Sequence, residues 1–242
     1  MQLITLNVWG GHIKQPLVDF FHKYKDVDIF CLQEVYHDAP EKISTDDKLI
    51  DLDIFRQIGH RLPNHIGFFR PVVRGIYGIA SFVHKKYEVL REGEVIIHDN
   101  PNYSGYGPTH KRNLQWLNIK DANGSDYTII NVHGLWNGLG KDDSPERIAQ
   151  SHKIHEFMQT AKAPAILCGD FNLKPSSQSL GIIRDGLRDL ISEYGITSTR
   201  TSLYTKEERF ADYIFTTPDI VVKQFKVLPE EVSDHNALFV EI

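Results

Sequence analysis

A chain of 242 residues, 41% hydrophobic and 24% charged, is long enough for a sizeable core, and none of its apolar runs approaches the roughly 18 residues a membrane helix needs, so stable membrane insertion is not expected. A net charge of -5 argues against non-specific coating of nucleic acid, a mode that needs a basic surface, but leaves room for an enzyme that engages a few phosphates. The opening MQLITLNVWG has neither a basic leader nor a cleavable apolar segment, and the only two cysteines, Cys31 and Cys168, lie inside apolar strand-like runs, so the expectation is buried free thiols in a reducing, cytoplasmic compartment.

Residues 2 to 8 alternate as a first strand. Pro16 to Lys25 reads as a helix with Pro in its first turn and Leu17, Val18, Phe20, Phe21 and Tyr24 on one apolar side. Val27 to Gln33 is a second strand. Asp38 to Asp53 carries six acidic residues against two lysines, reads as a solvated loop with one helical turn, and leads into a helix ending near Arg61. Strands are then expected at Gly67 to Pro71, Gly78 to His84, Tyr87 to Ile97, Leu114 to Lys120 and Tyr127 to Val132, with a hairpin at ANGSD. Between the third and fourth lies NPNYSGYGPTHKRN, too irregular for a strand and of a length often found in functional loops. Ser144 to Thr160 is a helix with Ser144 as N-cap and Pro145 at the first position. A strand at AILCGDFNL, a short helix at Ser176 to Arg184 and strands at Asp212 to Thr216, Ile220 to Leu228 and Ala237 to Ile242 close the chain. With no repeat or linker, one domain over 1–242 is the expectation. Two strand-rich halves packed face to face, each covered outside by helices, bury every apolar face. This is an α/β (α+β) fold, a four-layer α/β/β/α sandwich of two packed mixed sheets.

Several strands end on a residue able to serve a metal or a proton: LITLNVWG on Asn7, DIFCLQEV on Glu34, YTIINVHG on His133, AILCGDFNL on Asp170 and Asn172, ADYIFTT on Asp212, and VSDHNALFVEI begins with Asp234 and His235. One such ending is unremarkable, because Asp and Asn cap backbone groups in turns. Their recurrence points to strand ends converging on one pocket. In the loop before the strand at Leu114 to Lys120, Tyr106, Lys111 and Arg112 offer a stacking surface and phosphate partners, or are incidental to the loop. Trp136 and Leu135 offer an apolar wall or core packing, and Lys174 is a further phosphate candidate.

The ordered set LNVWG, LQEV, NVHG, GDFN, ADYIF and SDHNAL resembles the motifs of the endonuclease/exonuclease/phosphatase superfamily, the deoxyribonuclease I-like fold, from residue 3 to residue 242. The resemblance implies a Mg²⁺ site, with Mn²⁺ able to substitute, held by Glu34 with Asn7 ligating or orienting it and with Asp234 nearby. It implies His235 acting at the phosphorus with Asp212 fixing its tautomer, Asp170 orienting or deprotonating the attacking water, and Asn172 and His133 on the phosphate oxygens. The reaction is then metal-assisted in-line hydrolysis of a phosphoester. Nucleic acid is the leading expected substrate, a phosphodiesterase or nuclease acting on DNA or RNA. Inositol phosphates or sphingomyelin-type lipids are the alternative, a silent binding scaffold is a third reading, and no protein partner is evident. In deoxyribonuclease I a Glu on an earlier strand partners the matching His; here that strand reads YGIASFV and supplies none. The acidic stretch from Asp38 to Asp53 would repel a long polyanion if it bordered the cleft.

Overall fold

In the computed structural model, which describes residues 1–39, 49–101, 103, 109–161 and 164–242, the chain runs first through β1 (Gln2–Asn7), α1 (Lys14–Lys23), β2 (Ile29–Tyr36), α2 (Ile54–Arg61), β3 (His65–Val73), β4 (Tyr77–His84) and β5 (Glu88–His98). It continues through β6 (Arg112–Lys120), β7 (Asp126–His133), α3 (Pro145–Thr160), β8 (Ala165–Asp170), α4 (Gln178–Arg184), β9 (Arg188–Asp189), α5 (Leu190–Glu193), β10 (Asp212–Thr216), β11 (Gln224–Val227) and β12 (Leu238–Glu241).

The strands form two six-stranded sheets, β11-β12-β1-β2-β4-β3 and β5-β6-β7-β8-β10-β9. Each is built on one central parallel pair, β1 with β2 and β7 with β8, flanked by antiparallel neighbours. A parallel pair requires a crossover, and α1 and α3 supply the two. The carboxyl ends of both pairs therefore point the same way as the chemistry-bearing motifs, which lie at those ends. Leu17, Phe20 and Phe21 of α1 and Ile54 and Ile58 of α2 pack with Ile4, Leu6, Phe30 and Leu32 on the outer face of the first sheet. Ile154 and Met158 of α3 and Leu180 and Ile183 of α4 join the cluster that also fills the space between the sheets. Each such side chain, fully withdrawn from water, contributes roughly 1.5–3 kcal/mol. The four-layer sandwich expected from the sequence is the architecture observed. Among the described residues no helix is long and apolar enough to cross a membrane, and Cys31 and Cys168 are both free and buried.

Local departures have local causes. The first helix starts at Lys14 rather than Pro16, since a proline within the first turn gives up an N–H that no helical carbonyl needs. α4 starts at Gln178 rather than Ser176, because Ser177 is its N-cap, with Oγ accepting from Leu180 N at 3.2 Å. β11 is only four residues because Ile220 N closes a turn on Thr217 O at 3.2 Å before the strand can begin. β2 overruns Gln33 and continues to Tyr36. Gly169 does not turn the chain; β8 runs on to Asp170, and the glycine (φ +136°) permits a close approach in which a Cβ would lie 2.0 Å from Val132 O. Residues 40–48 of the acidic stretch lie outside the described residues. Its end is not a free surface loop: Asp51 is buried and its N–H donates to Gly10 O at 2.8 Å.

Candidate active site

Register alone brings three site residues into one row of the second sheet. His133 pairs with Asp170 across β7 and β8, and Asp170 pairs with Asp212 across β8 and β10. From the first sheet, Asn7 ends β1 and Glu34 stands in a bulge of β2 between Leu32 and Val35, with φ +57°. The Asn7 amide nitrogen donates to Glu34 Oε1 at 3.0 Å and to Asp170 Oδ2 at 3.0 Å, while its Oδ1 accepts from Trp9 N at 2.9 Å. Asn7 thus bridges a carboxylate from each sheet, and these bonds orient both.

His235 Nδ1 lies 2.8 and 2.9 Å from the two Asp212 carboxylate oxygens, and Thr199 Oγ1 donates to Asp212 Oδ2 at 3.1 Å. The proton shared with Asp212 sits on Nδ1, so Nε2 is bare and faces the cleft. Asp170 lies between two imidazoles, its Oδ2 at 3.7 Å from His235 Nε2 and 3.8 Å from His133 Nε2. Asn172 N donates to Asp170 Oδ1 at 2.9 Å. Two apart on an extended strand, Asp170 and Asn172 would share one side; the strand in fact ends at Asp170, Asn172 takes φ +55°, and this turn brings both side chains to the cleft. A similar correction applies at Asp234 and His235. On a strand they would face opposite ways, but they precede β12 in a loop and both line the cleft, with Asp234 Oδ1 3.8 Å from His235 Nε2.

The cleft encloses about 410 Å³. Its lining includes Glu34, His133, Asp170, Asn172, Asp234, His235, Arg112 and Trp136 from the expected set. Asp212 stands behind His235, and Asn7 behind the two carboxylates. Lys111 is half-buried and outside the lining, because Arg112, not Lys111, begins β6 and turns inward. Lys174 pairs with Asp142 instead of facing the cleft, and Leu135 is buried core beside Trp136. Tyr106 lies outside the described residues.

The missing Glu partner of His133 is replaced by a cation. Arg112 Nη1 lies 3.0 and 2.9 Å from the two ring nitrogens of His133. Burial first, and then Arg112 and His110, hold this imidazole well below its usual pKa and therefore neutral. Among the further cleft residues that escaped the sequence reading are Lys141, Arg200, Tyr204 and Lys206. Arg200 Nη1 donates to Asp234 Oδ2 at 2.9 Å and its guanidinium lies 4.1 Å over the Tyr204 ring. Lys206 stands 4.6 Å over Trp136. Lys141 is buried with its amine on Phe210 O, and burial followed by the Arg200 charge lowers its pKa to about 8. The loop bearing Trp136 and Lys141 is shaped by Arg147 of α3, which donates to Leu135 O at 3.3 Å, Gly140 O at 2.6 Å and Asp142 O.

Glu34, His133 and Asp170 each bring a donor atom within 4.8 Å of the other two. Glu34 is pushed up to about 7, chiefly by burial and then by the negative charges of Asp234 and Asp170. Hard oxygen donors whose mutual repulsion is not relieved by the protein suit a hard divalent cation. Asp212 is likewise raised to about 6 by burial, and His235 lowered to about 3 by burial and the nearby Arg200. At neutral pH the pair is thus a carboxylate and a neutral imidazole.

A family model described as the endonuclease/exonuclease/phosphatase family matches residues 4–235. Comparison with curated protein sequences gives no match. Among solved structures, a mannosyl-6-phosphatase of Bacteroides thetaiotaomicron VPI-5482 is similar at 20% identity and TM-score 0.75, over 100% of this chain and 98% of its own. The human Nocturnin catalytic domain with bound sulfate is similar at 19% identity and TM-score 0.71, over 99% and 93%. A humanized D. rerio TDP2 follows at 16% identity and TM-score 0.70, over 99% and 97%. At such identities these likenesses speak for the fold.

Proposed function

Because the chain belongs to the endonuclease/exonuclease/phosphatase family and is by that membership a phosphoester hydrolase, we propose that it hydrolyses a compact phosphoester by metal-assisted in-line attack of water. The gap of 3.7 Å between Asp170 Oδ2 and His235 Nε2 is too long for a direct hydrogen bond and accommodates a bridging water. Asp170 accepts one proton of that water and the bare Nε2 accepts the other, so its oxygen lone pair is aimed away from both. As the bond from water to phosphorus forms and the ester P–O bond opposite it breaks, one water proton passes to Nε2, Asp212 stabilises the imidazolium that results, and the departing alkoxide, on the far side of phosphorus, takes its proton from solvent. Arg112, Lys141 and the Asn172 amide face the phosphoryl oxygens, where charge spreads in the transition state. Mg²⁺ or Mn²⁺, held by Glu34, Asp170 and Asp234, would supply further neutralisation at a phosphoryl oxygen when bound.

The substrate class rests on where the cations sit. Arg112, Lys141 and Arg200 are 3%, 4% and 6% exposed, inside the cleft wall and not spread over an outer face. They suit a phosphate that enters a bowl. The lining, moreover, includes Ile50, so the described end of the stretch from Asp38 to Asp53 reaches the cleft, an approach that does not favour a long polyanion. A sugar phosphate, a nucleotide or an inositol phosphate fits both facts, with its organic part on Trp136 and Tyr204. The second reading is a nucleic acid taken by its end, favoured by the Trp136 and Lys206 pair, which offers stacking beside a positive charge.

Hydrolysis in Mg²⁺ should be measured by product analysis, as phosphate released from a hexose phosphate, a mononucleotide, an inositol phosphate and end-phosphorylated DNA and RNA oligonucleotides, as phosphocholine from sphingomyelin and as strand scission of the oligonucleotides and of plasmid DNA, with EDTA and Asp170→Asn controls. Turnover confined to plasmid or to internal bonds of long strands refutes the compact substrate. Turnover that survives both controls refutes the mechanism.

A further inference from the structure

We propose that Asn131, on the second sheet, is a positioning residue for Glu34 on the first, a role that builds on the reading of Glu34 as a metal ligand. Along β2 the side chains alternate up to the bulge: Phe30 and Leu32 pack in the helix-side cluster, while Ile29 and Cys31 pack in the cluster between the sheets. Regular continuation would send Glu34 to the helix side and Val35 to the gap between the sheets. The reverse holds. Val35 packs on the helix side, and Glu34 reaches the cleft.

The reversal is made by two residues, Gln33 and Glu34, standing opposite Ile79 alone between the rungs Leu32–Ala80 and Val35–Gly78. A positive φ at glutamate is strained and persists only where surrounding structure enforces it. Asn131 is the group that reaches it. Its amide nitrogen donates to Leu32 O at 3.1 Å and to Ala80 O at 3.0 Å, the two carbonyls of the last regular rung, and its Oδ1 accepts from Gln33 Nε2 at 2.7 Å. Gln33 in turn donates to Thr5 Oγ1 at 3.2 Å on β1. Asn131 and Gln33 are wholly buried, so these bonds are not shared with solvent. Asn131 also lies two residues before His133 on β7, on the same face of the strand, so one strand sets both the imidazole at the phosphate and, through the bulge, the carboxylate at the metal.

Asn131→Asp keeps the size and the acceptor for Gln33 but cannot donate to both carbonyls. Ser81→Ala is the control: it removes the 2.8 Å bond to Gln115 in the same gap without touching the bulge. Mn²⁺ binding by calorimetric titration, and the rise in unfolding temperature on adding Mn²⁺, read the effect without turnover. The expected result is a Mn²⁺ affinity about 10–100-fold weaker in Asn131→Asp and unchanged in Ser81→Ala. If Asn131→Asp does not fold, Gln33→Met, which deletes the donor to Asn131, is read the same way. A folded variant of either kind that binds Mn²⁺ as the wild type does overturns the role of Asn131. Wild-type protein that binds no Mn²⁺ overturns the metal reading as well.

Discussion

Replacing Asp212 by Asn tests the dyad with almost no change of shape. Thr199 Oγ1 accepts from Ala211 N at 3.1 Å and from Asp212 N at 3.3 Å, so its lone pairs are occupied and its proton must point at residue 212. An asparagine that offers its oxygen to His235 Nδ1 therefore turns its NH₂ onto the Thr199 hydroxyl, donor against donor. The opposite rotamer satisfies Thr199 but aims the NH₂ at Nδ1, which drives the ring proton to Nε2 and removes the acceptor that faces the water. Either way the acceptor or its alignment is lost. General base assistance is worth about 10²–10⁴ in rate, or roughly 3–5 kcal/mol of transition-state stabilisation. The expected outcome in Asp212→Asn is a kcat lower by about 10²–10⁴ with KM nearly unchanged, and little loss of stability, since burial already disfavours the Asp212 charge. Steady-state phosphate release and thermal melting measure both. A folded variant within about threefold of wild-type kcat would refute the reasoning from tautomer to rate.

Glu34, raised to about 7, must lose its proton to take a cation, so Mn²⁺ affinity should fall as pH drops below 7, by about tenfold per unit; a flat titration between pH 6 and 8 contradicts the assignment. The sign for stability is opposite: a carboxyl raised in the folded state loses stabilisation as pH climbs from its ordinary value near 4.5 through 7, so metal-free Glu34→Gln should melt higher than wild type at pH 8 and show no Mn²⁺ shift. Arg200→Ala strips Asp234 of its 2.9 Å partner and Tyr204 of the nearest of its cations, and should raise KM about 10-fold or more with a melting temperature lower by several degrees, restored in part by Arg200→Lys. Trp136→Ala should raise KM for substrates carrying a ring and leave small acyclic phosphoesters unchanged; equal effects on both argue against the stacking role.

What the sequence disclosed, and what it hid, divides along a physical line. Asn7, Glu34, His133, Asp170 and Asp212 are legible because each adjoins an apolar run, Asn7, His133 and Asp170 at a strand's end, Asp212 at a strand's start and Glu34 in a bulge, and the burial of a strand is written in its own residues. The parallel pairs then fix where those ends lie, so the architecture and the convergence follow from local pattern. Lys141, Arg200 and Tyr204 carry no such mark. Arg200 sits in TSTRTSLY, a polar stretch without periodicity, and is placed by a bridge to His235 and by Arg209, which donates to Tyr204 O at 3.2 Å and Thr201 O at 3.2 Å. Lys141 is set by Arg147 from a helix whose sequence announces only its cap. The sole available signal was position: the loop after His133 leaves the carboxyl end of a parallel strand, where sites of layered sheets gather.

This division explains the electrostatics of the cleft. Glu34 and Asp170 come with strands and Asp234 with the loop before β12, and the raised Glu34 shows their repulsion added to its burial. Arg112 begins β6, whereas Arg200 and Lys141 come from loops, and each of those two has a tie that does not involve the acids: Arg200 on the Tyr204 ring, Lys141 on Phe210 O. A cation held by its own scaffold keeps its place while substrate binds, so reorganisation at the moment of reaction is small. It follows that substitutions of the loop residues Trp136, Arg200 and Lys206 should alter which phosphoester is accepted, whereas substitutions of the strand-borne acids should abolish hydrolysis of all of them. A screen of variants at 136, 200 and 206 against the substrate panel separates the two classes: changed preference among active variants supports the division, and uniform inactivity places these loop residues in the chemical step itself.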